Sequence, residues 1–330
     1  MPTTSSVFLV GSEGTVGRLY QRAAENLQLS VVRVDPAVGV RDGYRSVDEV
    51  LPGACDQSKH AWIVATPTET HVSTLKSILN LDPTARILLE KPACPYAEFS
   101  ALIALLSKHR DASVTLSDFY GHSNPVQMFA RSLRGELYAG SKIHEIAITF
   151  IKDRIADQAG GRFVDRDYGL IGYEWFHILS LLQTILGQAE FDRYLSQRGS
   201  VECDRNSAAT ALTETTFLEN DAKVVLHTSI DGLSPLSPPR VEYHHGPVNR
   251  QLSVGFVDGR RMQLTLEPIP ADLHDLPIDR NVHMGAALLE GLRGEWDDLV
   301  GVAGLVDSLV FAFEVVAPVG LEVLVRADGS

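Results

Sequence analysis

The chain has little of what marks disulfide-rich, zinc-binding or membrane proteins. Its 330 residues include three cysteines, at positions 55, 94 and 203, and an odd number at wide spacing predicts neither a disulfide framework nor a zinc site. The longest apolar stretch runs from Leu299 to Val306, well short of the roughly 20 residues that span a bilayer. The N-terminal segment lacks the basic residues and the long apolar core of a signal peptide. We therefore expect a cytoplasmic protein without a membrane partner.

Positively charged residues are also scarce. Lysine and arginine number 29 against 42 aspartates and glutamates, a formal net charge of -13, and such a field repels nucleic acid backbones and anionic lipid surfaces. Apolar residues make up 45% of the chain, which is enough to build packed interiors. A chain of 330 residues exceeds one ordinary core. We expect two domains and no nucleic-acid partner.

Short apolar runs alternate with helical patterns over the first 120 residues. Apolar runs with no polar alternation are typical of strands buried on both faces of a parallel sheet. The pattern therefore predicts a Rossmann-type, doubly wound parallel sheet over residues 1–120. The predicted strands are Val7 to Val10, Ser30 to Val34, Ala61 to Ala65, Arg86 to Leu89 and Val114 to Leu116, and the predicted helices cover Leu19 to Ala24, Val47 to Leu51, Val72 to Leu79 and Pro95 to Lys108.

The pattern changes to a period of two in the second part of the chain. Inward residues alternate with polar ones around Ile146 to Phe150, and a hairpin is predicted from Leu252 to Leu266 with its turn at Asp258 and Gly259. A neighbouring strand is predicted from Lys223 to Asp231. We predict an α+β domain over residues 121–330, with an open, mainly antiparallel sheet. The proline-rich segment 234–240 is expected to be a loop, and helices predicted over 282–292 and 299–316 are expected to pack back on the first domain.

A glycine-rich turn joins the first predicted strand to the first predicted helix. Gly11, Gly14 and Gly17 are spaced G-x-x-G-x-x-G, which lets the backbone approach a pyrophosphate at a helix N-terminus. A glycine-rich turn without a ligand is the alternative. The predicted cofactor contacts of the turn are Gly11, Ser12, Glu13, Gly14, Thr15 and Val16.

Asp35 follows the second predicted strand, 24 positions after Gly11. A carboxylate there accepts hydrogen bonds from ribose hydroxyls and disfavours a 2′-phosphate. The prediction is therefore NAD as cofactor, with NADP the less favoured choice, although Arg33 and Arg41 are near enough to bind a phosphate if their side chains turn inward. A solvated aspartate at a strand end is the alternative.

Two further landmarks follow the next strands: Ala-Thr-Pro-Thr-Glu-Thr-His at 65–71 and Glu-Lys-Pro at 90–92. Together with the glycine turn at 11–17, and in this order and spacing, these motifs resemble those of the Gfo/Idh/MocA family of sugar and cyclitol oxidoreductases. The resemblance covers the N-terminal domain well and the second domain loosely. It implies a homodimer or homotetramer formed through the exposed face of the second sheet. It makes Lys91 a catalytic cation beside the nicotinamide and the substrate hydroxyl, and it implies cofactor contacts at Ala65, Thr66, Pro67, His71, Glu90 and Lys91.

The family's second signature, Asp-x-Gly-x-His after a glycine-rich helix start, compares with residues 169–177 of this chain. His177 matches the catalytic histidine, while Tyr173 stands at the aspartate position and Trp175 at the glycine position. Tyr173 and His177 are four residues apart and share one face of a helix. We expect His177 to transfer a proton, with Tyr173 acidified by Lys91. An aromatic core is the alternative, and Asp165, Asp167 and Glu174 are candidates to replace the missing aspartate.

The remaining candidates carry less information. His244 and His245 have no third ligand at a recognisable spacing, so no metal site is predicted. Asp118, Tyr120 and Asn124 follow the last strand of the first domain and are placed to line the ligand cleft.

These observations lead to one main hypothesis and two alternatives. The main hypothesis is reversible hydride transfer between nicotinamide and a secondary alcohol or ketone of a sugar, cyclitol or related polyol. A dinucleotide-binding sensor or scaffold without turnover is the first alternative. The second is a reductase of an imine or unsaturated carbonyl, because the glycine spacing is also similar to that of dihydrodipicolinate and prephenate-type enzymes.

Overall fold

The computed structural model describes residues 6–37, 39, 43–51, 60–117, 120–121, 123–153, 174–197, 200–203, 211–229 and 248–267. These residues fall into two compact units, of which one ends at Ser123 and the other begins at Asn124. The predicted loop at 234–240 and the predicted helices at 282–292 and 299–316 lie outside the described residues.

The first unit is built on a parallel sheet, as the sequence predicted. The strand order is β3-β2-β1-β4-β5-β6, and each neighbouring pair is parallel. The β3 strand was not predicted, because two residues are too few to give an apolar run. The strands are β1 Ser6–Val10, β2 Ser30–Val34, β3 Gly43–Tyr44, β4 His60–Val64, β5 Arg86–Leu89 and β6 Ser113–Leu116.

Three helices connect these strands: α1 Thr15–Asn26, α2 His71–Leu81 and α3 Phe99–Lys108. Two helix predictions need correction. The pattern at Val47 to Leu51 forms a single 3-10 turn, Val47–Glu49. The helix predicted from Pro95 begins at Phe99, because the N–H of Glu98 bonds back to the carbonyl of Pro95 and closes a tighter turn first.

Helix α1 packs against the sheet through a face that carries small side chains. All five residues of β1 are buried, and Ala23 and Ala24 of α1 belong to the same core cluster as Val7 and Ile63. The small alanine side chains let helix and sheet approach closely. Helix α1 begins immediately after the glycine turn that follows β1.

The second unit contains a mixed, mainly antiparallel sheet of order β12-β11-β7-β10-β9-β8. The β7–β10 pair is parallel, and the other pairs are antiparallel. The predicted hairpin is confirmed, and the strand predicted from Lys223 lies between β7 and β9. The strands are β7 Ile143–Lys152, β8 Ser200–Cys203, β9 Ala211–Phe217, β10 Lys223–Ser229, β11 Val248–Phe256 and β12 Arg261–Glu267, and the helices are α4 Asn124–Tyr138, α5 Phe176–Leu186 and α6 Gln188–Gln197.

One face of this sheet packs against α5 and α6. The predicted alternation of β7 is confirmed: Ile146, Ile148 and Phe150 are buried, whereas Glu145 and its same-face neighbours are half-buried. The inward positions of two other strands hold ionisable residues, Glu214 on β9 and Arg250 on β11, and both are buried.

Glu214 is a buried carboxyl group held by hydroxyl donors. Its Oε1 accepts hydrogen bonds from the hydroxyls of Tyr194, on α6, and Thr216, while its Oε2 has no partner among the described residues. Burial raises the pKa of Glu214, although both hydrogen bonds act in the opposite direction. Burial and the neighbouring carboxylate also raise the pKa of Tyr194 well above its usual value. Folding therefore favours the protonated form of Glu214 relative to the unfolded chain.

We predict that Glu214→Gln gains stability relative to the wild type as pH rises. The folded-state pKa lies above the unfolded value, so the wild type loses stability as pH rises through the folded-state pKa. Glutamine stays neutral at every pH. The advantage of the variant in unfolding free energy grows by about 1.4 kcal/mol for each pH unit between the two pKa values.

Urea unfolding between pH 4 and pH 8 measures this difference. Glu219→Gln is the control, because the Glu219 side chain is 72% exposed. Parallel pH dependence of the wild type and Glu214→Gln would contradict the prediction.

Candidate functional site

The loops that follow the parallel strands are aligned by backbone hydrogen bonds that continue beyond the strand ends. The N–H of Gly11 bonds the carbonyl of Val34 at 2.9 Å, that of Ala65 bonds Val10 at 2.8 Å, and that of Glu90 bonds Val64 at 2.9 Å. The first residues after β1, β4 and β5 therefore lie side by side. They occupy the carboxyl edge of the sheet, where open α/β sheets bind their ligands.

The glycine turn is shaped by close backbone contacts. Gly11 has a φ of +84°, and a Cβ on it would lie 2.6 Å from the carbonyl oxygen of Ala65. A Cβ on Gly17 would lie 2.0 Å from the carbonyl oxygen of Gly11. Gly14 differs, since its nearest atom in the same test is 3.4 Å away and the residue is exposed. Two glycines are thus required by packing, whereas a Cβ at the third would make ordinary van der Waals contact with the turn.

The N-terminus of α1 has the properties of an anion site. Gly14 is its N-cap, and among the described residues no side chain caps the helix end. The first turn contains no acidic residue, and Thr15 and Val16 are exposed. Uncapped amide donors at a helix N-terminus bind phosphate groups. The turn therefore fits the pyrophosphate of a dinucleotide.

Asp35 lies beside this turn, directly after β2. Its Oδ2 accepts the backbone N–H of Glu13 at 3.1 Å, and its Oδ1 accepts that of Ala37 at 2.9 Å. The guanidinium of Arg33 lies 3.3 Å from Glu13 Oε1. The carboxylate is thus held next to the glycine turn, and Arg33 is engaged by a neighbouring acid. Arg41 lies outside the described residues.

The segment after β5 rests on a buried polar network. The hydroxyl of Tyr20, on α1, donates to Glu90 Oε1 at 2.8 Å, and the Ser117 hydroxyl lies 2.5 Å from the Tyr20 oxygen. Glu90 Oε2 accepts the backbone N–H of Lys91 at 3.2 Å. The Glu90 side chain is buried, with 8% of the residue exposed, and Lys91 is half-buried. The network fixes the backbone from which the Lys91 side chain extends.

Most of the predicted cofactor residues thus lie along one edge of the parallel sheet. These are Gly11, Ser12, Glu13, Gly14, Thr15, Val16, Asp35, Ala65, Thr66, Pro67, Glu90 and Lys91. His71 is instead buried: it is 1% exposed, and each of its two ring nitrogens contacts a backbone carbonyl. Its contacts are therefore with the loops themselves.

His177 belongs to the second unit and lies in the first turn of α5. It is buried, and its ring stacks on Phe150 with centroids 6.4 Å apart. The guanidinium of Arg250 lies 5.2 Å from the centre of the same Phe150 ring. Trp175, Phe176 and His177 are all buried, as the aromatic-core alternative expects of these three residues.

Glu174 precedes α5 and forms an ion pair with Arg250. The Arg250 guanidinium lies 2.7 and 2.8 Å from the two carboxylate oxygens, and the Glu174 side chain is 0% exposed. Glu174, one of the three acidic candidates for the missing aspartate, is therefore paired with the guanidinium of Arg250. Tyr173, Asp165 and Asp167 lie outside the described residues.

The sequence reasoning missed three participants: Tyr20, Ser117 and Arg250. Arg250 had a readable signal, because it shares the inward parity of Leu252, Val254 and Phe256 on β11. The other two act across 70 and 97 positions of the chain, and no local pattern indicates such pairs.

The weaker candidates are resolved only in part. Tyr120 is buried, Asn124 is the first residue of α4, and Asp118, His244 and His245 lie outside the described residues. Within the described ranges, no group of three or more His, Cys, Asp or Glu is arranged to hold a metal ion. In the same ranges, no helix has the length and apolar content needed to cross a membrane.

Solved structures share this fold, although sequence comparison finds no relative. No family model matches the chain, and no curated protein matches it. The scyllo-inositol dehydrogenase of Lactobacillus casei is 12% identical with a TM-score of 0.65, and the match covers 98% of this chain and 96% of that one. The WlbA dehydrogenase of Thermus thermophilus, solved with NAD and UDP-GlcNAcA, is 17% identical with a TM-score of 0.59 and coverages of 96% and 94%.

A third similar structure is an oxidoreductase of Agrobacterium radiobacter, solved with NAD+, L-tartaric acid and magnesium. It is 13% identical with a TM-score of 0.60, and the match covers 94% of each chain. The three matches extend over both units of this chain. The protein therefore has the fold of these dehydrogenases and oxidoreductases.

Proposed function

We propose that the protein is an NAD-dependent oxidoreductase that transfers a hydride between nicotinamide and a secondary alcohol or ketone of a sugar, cyclitol or related polyol. One observation carries this proposal. Asp35, the uncapped glycine turn and Lys91 follow β2, β1 and β5 of one parallel sheet and lie in that order along its carboxyl edge. A ribose acceptor, a pyrophosphate site and a cation in that order match the parts of a bound dinucleotide and its reacting end.

The solved structures support the same proposal. The Thermus thermophilus and Agrobacterium radiobacter proteins were crystallised with NAD or NAD+. The Lactobacillus casei protein is a scyllo-inositol dehydrogenase. A shared fold makes a nicotinamide cofactor and a polyol substrate the favoured choice for this chain, since the residues at its own sheet edge fit the cofactor.

The acidic groups beside the turn favour NAD over NADP. Asp35 is oriented by two backbone N–H groups, and Glu13 engages Arg33. A 2′-phosphate at this place would meet the Asp35 carboxylate, with Arg33 already paired. Repulsion between like charges would oppose its binding.

The residues of the first unit then have separate tasks. Bound NAD supplies the hydride acceptor. The amides at the start of α1 bind the pyrophosphate, and Asp35 accepts hydrogen bonds from the ribose. The Lys91 ammonium stabilises the negative charge that develops on the substrate oxygen as the hydride leaves the carbon. Glu90 and Tyr20 keep the Lys91 backbone in place.

His177, with Tyr173, is proposed to accept the hydroxyl proton. The assignment rests on the match of His177 to the histidine of the Gfo/Idh/MocA signature and on the ability of imidazole to accept a proton near neutral pH. The His177 ring lies near that of Phe150, with centroids 6.4 Å apart and an angle of 25° between the ring planes.

The proposal extends to assembly and location. We propose a homodimer or homotetramer formed through the sheet face that carries Glu145, Ala147 and Thr149, which are half-buried in the single chain. We also propose that the protein is cytoplasmic.

A fluorescence titration with NADH and NADPH, followed by an activity screen of polyols, tests the proposed function. Tight NADH binding with turnover of a polyol supports it. Tight binding without turnover of any alcohol or ketone would favour the sensor alternative, and turnover of an imine or unsaturated carbonyl would favour the reductase alternative. Absence of binding of either nucleotide would refute the central claim.

Lys91→Ala is predicted to lower kcat by a factor of about 100 or more, because an oxyanion loses its stabilising charge. The affinity for NADH is expected to stay within about threefold, since the pyrophosphate and ribose contacts are unchanged. Lys76→Ala, at an exposed position of α2, is the matched control. Full activity of Lys91→Ala in steady-state assays would exclude the assigned role.

Asp35→Ser is predicted to erode the preference for NADH over NADPH by roughly tenfold, equivalent to about 1.4 kcal/mol of removed repulsion. The ratio of the two dissociation constants is the quantity to measure. Asp48→Ser, at an exposed position after β3, controls for the change in net charge. An unchanged ratio would count against Asp35 as the ribose acceptor.

Gly14→Ala is predicted to keep the fold and weaken NADH binding by roughly tenfold or more. The added methyl group would lie 3.4 Å from its nearest neighbour, the carbonyl oxygen of Gly11, so the turn can retain its conformation. The same methyl group would occupy space that the pyrophosphate needs at the helix start.

The melting temperature and the NADH dissociation constant of this variant are compared with those of Gly135→Ala. Gly135 lies within α4, where no described atom is within 4 Å of an added Cβ. Equal NADH affinity for Gly14→Ala and the control would place the pyrophosphate elsewhere.

A further inference from the structure

His71 is a buried side chain at the junction of two loops that carry candidate cofactor residues. It is the first residue of α2 and is 1% exposed. Its Nε2 lies 2.9 Å from the carbonyl oxygen of Thr66, in the loop that follows β4. Its Nδ1 lies 2.9 Å from the carbonyl oxygen of Pro92 and 3.3 Å from that of Ala93, in the loop that follows β5. One imidazole ring therefore contacts both loops.

Both ring nitrogens of His71 face oxygens that can only accept hydrogen bonds. A neutral imidazole carries one N–H and donates to one loop, whereas an imidazolium carries two and donates to both. This holds for either tautomer of the neutral ring. The protonation state of His71 therefore decides whether the ring donates a hydrogen bond to one of the loops after β4 and β5 or to both.

Glu90 is the charged group that acts on the His71 ring from the end of β5. Burial lowers the pKa of His71 below its usual value, whereas the three carbonyl oxygens and the negative charge of Glu90 oppose that shift. The ring therefore titrates on the acid side of the usual range of histidine. The elements packed against α2 add charged side chains that are not buried, namely Asp48, Glu49, Glu69, Glu98 and Lys108.

The segment after β5 is held from two sides. Glu90 accepts the backbone N–H of Lys91 at 3.2 Å, and His71 contacts the carbonyl oxygen of the next residue, Pro92. The backbone of Lys91 thus lies between two fixed points. Because Pro92 is the next residue in the chain, we expect a change in its contact with His71 to shift the backbone of Lys91.

We propose that His71 is a positioning residue that joins the loops after β4 and β5 and thereby sets the place of the Lys91 side chain. It acts through the two loops and does not touch the cofactor. The imidazolium holds both loops, and the neutral ring holds one. The consequence for catalysis rests on the proposed function of Lys91, whereas the link between the loops does not.

Nuclear magnetic resonance of the full, cofactor-free chain tests the link. Each loop contains an alanine next to a contacted residue: Ala65 precedes Thr66, and Ala93 follows Pro92. Selective labelling of histidine ring nitrogens and alanine methyl groups allows both loops and the ring to be followed during one pH titration. Spectra of the His71→Gln variant assign the ring signals.

The expected result is a joint transition below pH 6.5, the usual histidine value. As the second ring N–H of His71 appears, the methyl signals of Ala65 and Ala93 move with the same midpoint. A ring with a single N–H at every pH would overturn the proposal. So would a ring that titrates while either methyl signal stays still.

The kinetic arm uses His71→Gln with His109→Gln as the control, since His109 is a half-buried histidine at the end of α3. His71→Gln is expected to lower kcat roughly 10- to 100-fold through displacement of Lys91. The KM for NADH is expected to change less than about threefold. The change in kcat that follows the titration of the His71 ring is expected to disappear, whereas the acid-side inflection of the proton acceptor His177 is expected to remain.

An unchanged kcat and pH profile in His71→Gln would overturn the positioning role. A KM for NADH that rises as much as kcat falls would instead make His71 a cofactor ligand and would also overturn it. If the protein neither binds NADH nor turns over a polyol, the proposed function fails, and the resonance titration still decides whether His71 joins the loops.

Discussion

The close contact between Gly11 and the backbone of Ala65 is the constraint on which the candidate site depends. A Cβ on Gly11 would lie 2.6 Å from the Ala65 carbonyl oxygen, and one on Gly17 would lie 2.0 Å from that of Gly11. No side chain fits between the chain leaving β1 and the chain leaving β4. This contact brings the start of α1 to the carboxyl edge of the sheet, and it places Glu13 where its N–H can reach Asp35.

The parallel sheet could be predicted because its signal is local. Strands such as β1 are buried on both faces, so they appear in the sequence as unbroken apolar runs. The glycine turn and the Glu-Lys-Pro segment could be placed next, since each directly follows a run of this kind. The hairpin of β11 and β12 was predictable for the same reason, because its alternation and its turn at Gly259 are contained in one short segment.

Strand β9 and the buried ion pair could not be predicted. The strand has polar residues where apolar ones are expected, and the ion pair joins residues that are far apart in the sequence. Strand β9 has Glu214 and Thr216 at inward positions, so it lacks the apolar alternation that marks a strand. The partner of Arg250 lies 76 positions away, at Glu174. The parity of Arg250 on β11 indicated that it points inward, but the identity of the group that neutralises it depends on the fold.

The buried polar groups around the segment after β5 explain what the scaffold contributes to the candidate site. A buried carboxylate such as Glu90 loses hydration, and that cost is offset only when its partners are fixed. The stability of the fold does not require a buried carboxylate, because replacing buried ion pairs with apolar residues is often neutral or stabilising. A lysine that stabilises a developing charge does require it, because electrostatic stabilisation is effective only when the charge is already in place. The network of Tyr20, Glu90 and Ser117 fixes the backbone from which Lys91 extends, and this is the fixed placement that the proposed role of Lys91 requires.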